Sequence, residues 1–534
     1  MNTAAAVVEA LARAGIRRVF GYPGSQNLRF IEEMRGGPVE FVLVTHEACA
    51  GFMADVTARL TGRPGACLST LGPGATNMTT GVGNALLDRV PLLAFTATMG
   101  GRWRGRTVQM QIDHRRLYAP LTKWSAEIRP ATAWRTMARA IAMAEAEQPG
   151  PVHLDFPEDV AEEERAFEPP AAFPPARQPL PTPAPAALAK AAALLAAARR
   201  PLVAVGLTMN RAGATEALRA FVDRHHLPVV STLMAKGHVD EEGGAFVGVL
   251  GRARRDIVAE FCREADLVVA VGYDPVEFNY EEWVARDVPI VHLDTVPADL
   301  DAGHRLGADV VGDVGDALRQ LAALPAVGHG WDLEAVAPHR RRLRAALTPA
   351  STSFAPHHAV LAMRELLSAE GLLAADVGAH THLIGQLWDP RGLGRLLVSN
   401  GWSSMGFCIP AAIAAKLARP DLPVAGCTGD GGFLMMAGEI STAVRLRLPV
   451  VFVVLRDRYL SLIRVKQERR GFPGAAAVEL YGPDYRPSDT LFGAPVVVAD
   501  TEEAFRAAFA AGLSAAGPTV IEAVVDPAEY SGMV

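Results

Sequence analysis

Asp430 and Asp457 are two carboxylates 27 residues apart, and the chain between them reads as one strand–helix–strand unit. Leu422–Thr428 (LPVAGCT) is apolar and strand-like, Phe433–Leu446 (FLMMAGEISTAVRL) has helical spacing, and Pro449–Leu455 (PVVFVVL) reads as a second buried strand. Both acids therefore fall just past the carboxyl ends of parallel strands, where open α/β sheets bind their ligands. Gly429, Gly431 and Gly432 surround Asp430 at the start of a helix. Two acids in that setting suit a divalent cation bridging to a phosphate. A third carboxylate, Glu47, follows the strand-like Val39–Val44 and opens the helix-like ACAGFMADVTARL. Alone, it need do no more than complement a helix dipole. The next strand-like run, GACLST, leads however into Leu71-Gly72-Pro73-Gly74-Ala75-Thr76-Asn77, a loop that lets a ligand approach the backbone closely.

These groups need a scaffold of some size. At 534 residues and 56.7 kDa the chain is too long for one core, and two to four domains are expected. A composition of 50% hydrophobic and 21% charged residues is that of a globular protein. The net charge of −6 gives no reason to expect nucleic acid or an anionic membrane as partner. The N-terminal segment resembles a targeting peptide only briefly, because Glu9 interrupts its apolar run and no cleavage pattern follows; it reads as the first helix of a domain. No apolar run is long enough to span a bilayer. The five cysteines (Cys49, Cys67, Cys262, Cys408 and Cys427) are scattered and lack metal-type spacing, as expected of buried thiols in a reducing cytosol.

Strand and helix signals alternate throughout. RRVF, VEFVLV, GACLST, PLLAFTA and PVHLDF come first, then PLVAVG, PVVST, DLVVAVG and PIVHLD, then GLLAADVG, RLLVSN, LPVAGCT, PVVFVVL and TVIEAVVD. Near-continuous apolar strands separated by helices imply parallel sheets covered on both faces. The expected architecture is α/β, with three doubly wound parallel-sheet domains. The first spans 1–167, a Pro-rich linker 168–186, a central domain 187–330, and the last domain 353–534. The first and last look like variations on one plan, although no internal sequence repeat is visible.

The order GYPGS (21–25), THE (45–47), LGPGATN (71–77), TKW (122–124), SSMGF (403–407), GDGG (429–432) and LRDRYLSLI (455–463) resembles the acetolactate synthase branch of the thiamine diphosphate enzymes. The resemblance runs on to VDPAEY (525–530) and so covers essentially the whole chain. Any one motif is weakly specific; together, in order, they are not.

Fold and chemistry follow by implication. The resemblance assigns the first domain to the cofactor's pyrimidine, the last to its diphosphate and Mg²⁺. Glu47 matches the glutamate that hydrogen-bonds the aminopyrimidine and promotes loss of the thiazolium C2 proton, a role that requires a shielded site. Pro73 and Asn77 match the pyrimidine pocket. Met405 matches the apolar wedge that holds the two rings bent, and carbonyls near Ser403 match acceptors for the 4′-amino group. Asp430, Asp457 and the carbonyl of Tyr459 match the metal ligands, with Gly429, Gly431 and Gly432 around them. Most relatives carry Asn-Asn where this chain has Arg456-Asp457, whereas the catabolic acetolactate synthases have Asp at the second position. In the loop Ala379-His380-Thr381, His380 is a candidate diphosphate contact or a solvent-facing histidine. Leu462 and Ile463 match apolar positions beside the thiazolium. Gln109 resembles an active-site glutamine, with Gln111 competing for that place. Ser25 stands where benzoylformate decarboxylases carry a serine that binds the substrate carboxylate; a plain turn serine is the other reading.

The central stretch VGYDPVEFNYEEW (271–283) lacks the arginine-containing motif of the FAD-binding anabolic enzymes and resembles the FAD-free catabolic ones, so no FAD is expected. Where anabolic enzymes carry a tryptophan, this chain has Lys466 or Gln467. The implied reaction is decarboxylation of a 2-oxo acid, pyruvate first, with carboligation to a second carbonyl. The implied unit is a cytoplasmic homodimer, paired into a tetramer, because relatives build each site from two subunits. A benzoylformate decarboxylase or benzaldehyde lyase type is the alternative within the family. A nucleotide-dependent dehydrogenase would need a GxGxxG opening a helix after a strand, and none is present. A non-catalytic paralogue would have no need of Glu47, Asp430 and Asp457 together.

Overall fold

The computed structural model describes residues 1–167, 179–472, 477–482 and 485–534. Three sheets form. The first contains β1 (Arg18–Gly21), β2 (Glu40–Leu43), β3 (Gly65–Ser69), β4 (Leu92–Thr98), β5 (Trp124–Glu127) and β6 (Pro151–Pro157), all parallel, in the order β2-β1-β3-β4-β6-β5. The second contains β7 (Pro201–Val205), β8 (Val229–Ser231), β9 (Phe246–Val249), β10 (Leu267–Val271), β11 (Ile290–Asp294) and β12 (Leu306–Val311), parallel, in the order β12-β11-β10-β7-β8-β9. The third runs β14-β13-β15-β16-β19-β18-β17. Its members are β13 (Leu372–Ala375), β14 (Leu396–Val398), β15 (Val424–Gly429), β16 (Val451–Arg456), β17 (Thr490–Leu491), β18 (Ala494–Ala499) and β19 (Thr519–Val524), and only the β17–β18 pair is antiparallel.

Strand order explains why the sites lie where they do. Renumbered in chain order with β17 left out, the third sheet runs 2-1-3-4-6-5, the order of the first sheet, so the expected likeness of these two domains holds although their sequences do not repeat. In both, the order reverses between the first and third strands (β1/β3 and β13/β15), and it is beyond the carboxyl ends of such strands that open α/β sheets bind ligands. The central sheet has the dinucleotide-fold order, reversing between β7 and β10.

Strands buried on both faces were legible as apolar runs. The strands that sequence reading omitted are β5, β9, β12, β17 and β18, of which the first four lie at sheet edges. β5 (WSAE) is half-buried throughout, β12 opens on an exposed Leu306 followed by a buried glycine, and β18 is buried only at its two ends. An edge strand needs no second apolar face. Two further expectations are corrected. The stretch 433–446 is not one helix: helix Asp430–Met436 gives way to a 3₁₀ turn at Ala437–Glu439 and a short helix Ile440–Arg445. A helix begins at Pro185, inside the span read as linker, because proline at a first helical position needs no hydrogen-bonded N–H. The rest of that linker, 168–178, lies outside the described residues.

The first and third sheets share one core. Phe52 and Met78 meet Phe407, Ile409 and Phe433, with the Phe52 and Phe407 rings edge to face at 5.5 Å. Helices Glu47–Thr61 and Pro73–Leu87 touch through glycines, since a Cβ on Gly51 would sit 2.6 Å from the Gly81 Cα. This contact brings Glu47 and Asn77 together. Polar ties complete the joint: Ser399 Oγ donates to Asn84 Oδ1 at 2.6 Å, and Gly401 N to Asp88 Oδ1 at 2.7 Å. No helix among the described residues is long and apolar enough to cross a membrane.

Candidate active site

Glu47 is the first residue of its helix, placed by the turn that follows β2. His46 caps that helix, its Nδ1 accepting from Ala48 N at 3.1 Å. The Glu47 side chain is buried, and Asn77 Nδ2 donates to its Oε2 at 3.0 Å. Its Oε1 lies 3.0 Å from where a Cβ on Gly74 would stand, so the missing side chain leaves that oxygen open to a ligand. Pro73, at the first turn of helix Pro73–Leu87, and Asn77 are exposed beside it. Gly72 takes φ +61°, and a Cβ there would strike the Met110 carbonyl at 2.5 Å. The loop carrying Gln109 is therefore pressed against this crevice. Of the two glutamines, Gln111 is occupied by the scaffold: it accepts from Met99 N at 3.2 Å and donates to Ile112 O at 3.1 Å. Gln109 is exposed, as is Ser25 on the turn after β1.

The second cluster lies beyond β13, β15 and β16. Asp430 Oδ2 accepts from the amides of Asp457 (2.8 Å) and Arg458 (2.7 Å). Asp457 accepts from Tyr459 N at 2.9 Å and from Ser461 Oγ at 2.7 Å. Both acids are buried, and burial drives their pKa values up, Asp430 to about 6 and Asp457 to about 7, with Asp430 raising Asp457 further. Such a pair is poised to gain from a cation. Asp430 Oδ1 is buried without a well-directed hydrogen bond, although the Tyr481 phenol lies close.

His380 stands in the first turn of helix Ala379–Leu387, not in the loop expected, and is buried rather than solvent-facing. Its ring lies over Gly378 and near Gly429, burial lowers its pKa to about 4, and Nε2 has no partner. His380 Nε2, buried without a partner beside Gly429, and Asp430 Oδ1, with only the Tyr481 phenol close to it, suit a charged ligand at this glycine run. Met405 reaches the same run: a Cβ on Gly431 would meet Met405 Cε and Leu460 Cδ2 at 2.6 Å. Ser403 sits at φ +51° with its Oγ donating to Asn400 O at 2.6 Å. Leu462 is half-buried and Ile463 exposed on helix Ser461–Arg469.

Sequence reading missed Asp376. It follows β13 as Asp430 follows β15, so the same strand-end signal was there. Asp376 accepts from Val377 N (2.8 Å), Gly406 N (2.9 Å) and Thr428 Oγ1 (3.0 Å), and so ties three site loops together. Its carboxyl also fills the space beside Gly432, where a Cβ would collide with Asp376 Oδ2 and with Thr428 Oγ1. Gly432→Ala should therefore destabilise the protein by about 2–3 kcal/mol, read as a lower urea midpoint with an unchanged slope. A midpoint equal to wild type would show that the loop yields freely.

Asp376 also makes a pH-dependent contribution. Burial raises its pKa from 3.8 to about 6 in the fold. The stability it contributes is fully present below about pH 4 and is lost as pH rises through 6. In the apoprotein, the stability difference between wild type and Asp376→Asn should thus shrink from pH 4 to pH 7 by about 3 kcal/mol at most. Denaturant titrations at several pH values measure it, and a difference independent of pH would contradict the assignment.

Among the described residues, no hydrogen bond or ion pair joins Glu47, Gly74 or Asn77 to Asp430, Asp457 or His380. The two clusters are separate within one chain. Comparison with known proteins gives the family. Residues 1–117 match the N-terminal TPP binding domain of thiamine pyrophosphate enzymes, 188–321 their central domain, and 376–523 their C-terminal TPP binding domain. The chain belongs to the thiamine pyrophosphate enzymes. Among its relatives is the acetolactate synthase large subunit of Parasynechococcus marenigrum (strain WH8102), 32% identical over 98% of this chain and 87% of that one. The acetolactate synthase of Bacillus subtilis (strain 168) is 28% identical over 97% of this chain and 92% of that one. The catabolic acetolactate synthase of Raoultella terrigena is 28% identical over 97% and 94%. Glu47 lies within the residues matched to the family's N-terminal TPP binding domain, and Asp430 and Asp457 within those matched to its C-terminal one.

Proposed function

We infer that this thiamine pyrophosphate enzyme decarboxylates a 2-oxo acid, pyruvate foremost, and joins the resulting two-carbon unit to a second carbonyl, as an acetolactate synthase does. The observation that carries the reading is the pairing of one buried, half-satisfied glutamate at a glycine crevice with a buried acidic pair at a glycine cradle. The residues present fit the cofactor. Asp430, Asp457 and the Tyr459 carbonyl would hold Mg²⁺; the burial and mutual proximity of the two acids support this. His380, with Gly429, Gly431 and Gly432, would take the diphosphate, and Met405, Leu462 and Ile463 would pack on the ring system. Bound thiamine diphosphate supplies a nucleophilic carbon and an electron sink. Glu47 holds and moves a proton at its open Oε1, while Asn77 fixes its other oxygen and burial keeps water from competing. Gln109 and Ser25, the exposed polar side chains at the rim, would meet the substrate carboxylate.

Completion of the site by a second copy is part of this reading. Leu434 and Met435, on the helix that Asp430 opens, are 51% and 58% exposed; Met110 and Ile112 stand exposed beside the Gly72 loop, and Trp402, Ile463 and Phe472 likewise. Apolar groups around both half-sites support a homodimer whose partners cover each other, and two dimers would make a tetramer. Five free, buried cysteines accord with a cytoplasmic enzyme. We retain the domain limits at 167, 187–330 and 353, and expect no FAD. The test is a product assay with magnesium and thiamine diphosphate over a panel of 2-oxo acids. Acetolactate from pyruvate is expected; acetaldehyde alone would make it a decarboxylase, and no product from any 2-oxo acid would overturn the reading.

A further inference from the structure

Glu439 stands in the 3₁₀ turn Ala437–Glu439 and is fully buried between the first and last domains. Its Oε2 accepts two bonds from one residue, Thr45 N at 2.9 Å and Thr45 Oγ1 at 2.6 Å. Thr45 lies two residues before Glu47, in the turn that aims the glutamate. Neighbouring contacts run the same way: Arg445 donates to Leu43 O, and Cys49 Sγ lies 3.3 Å from Met436 Sδ. Residues 436–445 thus grip 43–49 at three points, and only Glu439 grips the turn itself. A side-chain oxygen that accepts two directed bonds from one residue fixes the entry of the strand into the helix more firmly than apolar contact does.

We propose that Glu439 is a positioning residue for Glu47, holding the Thr45–Glu47 turn so that the Glu47 carboxyl faces the Gly74 crevice. The inference rests on the proposed function for its activity readout, and on geometry alone for its structural one. Because Asp430 begins the helix that ends at this turn, one short segment carries both the acidic pair and the support for Glu47. If each site is built from two copies, Glu439 links the two sites of a dimer through a single chain.

The variants Glu439→Ala, Glu439→Gln and Arg445→Met separate this role from simple interface strength. Glu439→Ala should lower kcat about 30-fold, as a small misplacement of a reacting group does, with KM and thiamine diphosphate affinity within about two-fold. Glu439→Gln should recover most of the loss, since an amide oxygen accepts both Thr45 bonds. Arg445→Met weakens the same interface at Leu43, four residues from Glu47, and should lower Tm with kcat kept within about two-fold. In the cofactor-free protein, hydrogen exchange at residues 45–49 should accelerate about ten-fold in Glu439→Ala and stay at the wild-type rate in Arg445→Met. Unchanged exchange at Thr45, kcat losses that track Tm in all variants, or a Gln variant as impaired as Ala would each overturn the proposal. Should Glu439→Ala not fold, Thr45→Val tests the same bond and is expected to lower kcat without raising KM. A wild-type enzyme inactive on every 2-oxo acid would defeat the functional reading instead, leaving the exchange result to decide this one.

Discussion

Replacing Glu47 by glutamine should reduce kcat by about 10²–10⁴-fold, the range associated with loss of a proton-transferring group. The substitution keeps shape and keeps one bond: the amide oxygen of the new side chain can still accept from Asn77, as Glu47 Oε2 does at 3.0 Å. What disappears is a carboxyl able to share a proton at the position left open by Gly74. Cofactor affinity should therefore change by no more than a few-fold, because shape complementarity and the Asp430–Asp457 anchor are untouched. Stability should change little, since the two side chains are of nearly equal size and the bond from Asn77 is kept. Steady-state kinetics beside calorimetric cofactor binding distinguishes these terms. Wild-type turnover in the variant would remove Glu47 from the mechanism, and lost binding with normal turnover of the bound fraction would make it a binding residue only.

The second large effect is expected at the other half-site. Asp457→Ala removes one of two buried carboxylates and leaves Tyr459 N and Ser461 Oγ without their acceptor. Mg²⁺-dependent retention of thiamine diphosphate should weaken by about 100-fold or more, the loss of a ligand exceeding that of an outer support. The effect on the apoprotein is of a different kind. Asp457 has its pKa raised to about 7, so at pH 8 an ionised carboxylate is held in the fold at a penalty that the substitution relieves. Apoprotein stability at pH 8 should thus change little while cofactor retention collapses. Gel filtration of the loaded enzyme with and without chelator, next to urea titration of the apoprotein, reads both. Equal retention in variant and wild type would show that Asp430 and backbone carbonyls suffice.

Parallel strands made the site readable. β15 and β16 are apolar on both faces, so their ends could be located, and Asp430 and Asp457 stand directly beyond them. The same logic pointed to Asp376 after β13, but its role is to hold loops together, and nothing in the sequence says which strand-end acid faces ligand and which faces backbone. Glu439 was illegible for another reason. Apolar spacing in 433–446 is satisfied by one continuous helix, whereas the fold breaks it at Ala437 and turns Glu439 inward to meet Thr45, 394 residues away. Only tertiary packing reveals such a partner. His380 was expected on a loop, but it stands in the first turn of helix Ala379–Leu387, and its burial was illegible because the glycines that admit its ring, Gly378 and Gly429, belong to different strands' ends. Gln109 and Gln111 stand two residues apart on irregular chain, and only the hydrogen bonds of the folded loop assign Gln111 to the scaffold.

The most direct trial is isothermal titration of thiamine diphosphate into the purified wild-type protein, run with magnesium and again with chelator. Saturable heat with one coenzyme per chain, lost on chelation, is the result expected of a phosphate tail held through a cation by Asp430 and Asp457. Absence of heat under both conditions would contradict the assignment of this chain's two half-sites to that coenzyme.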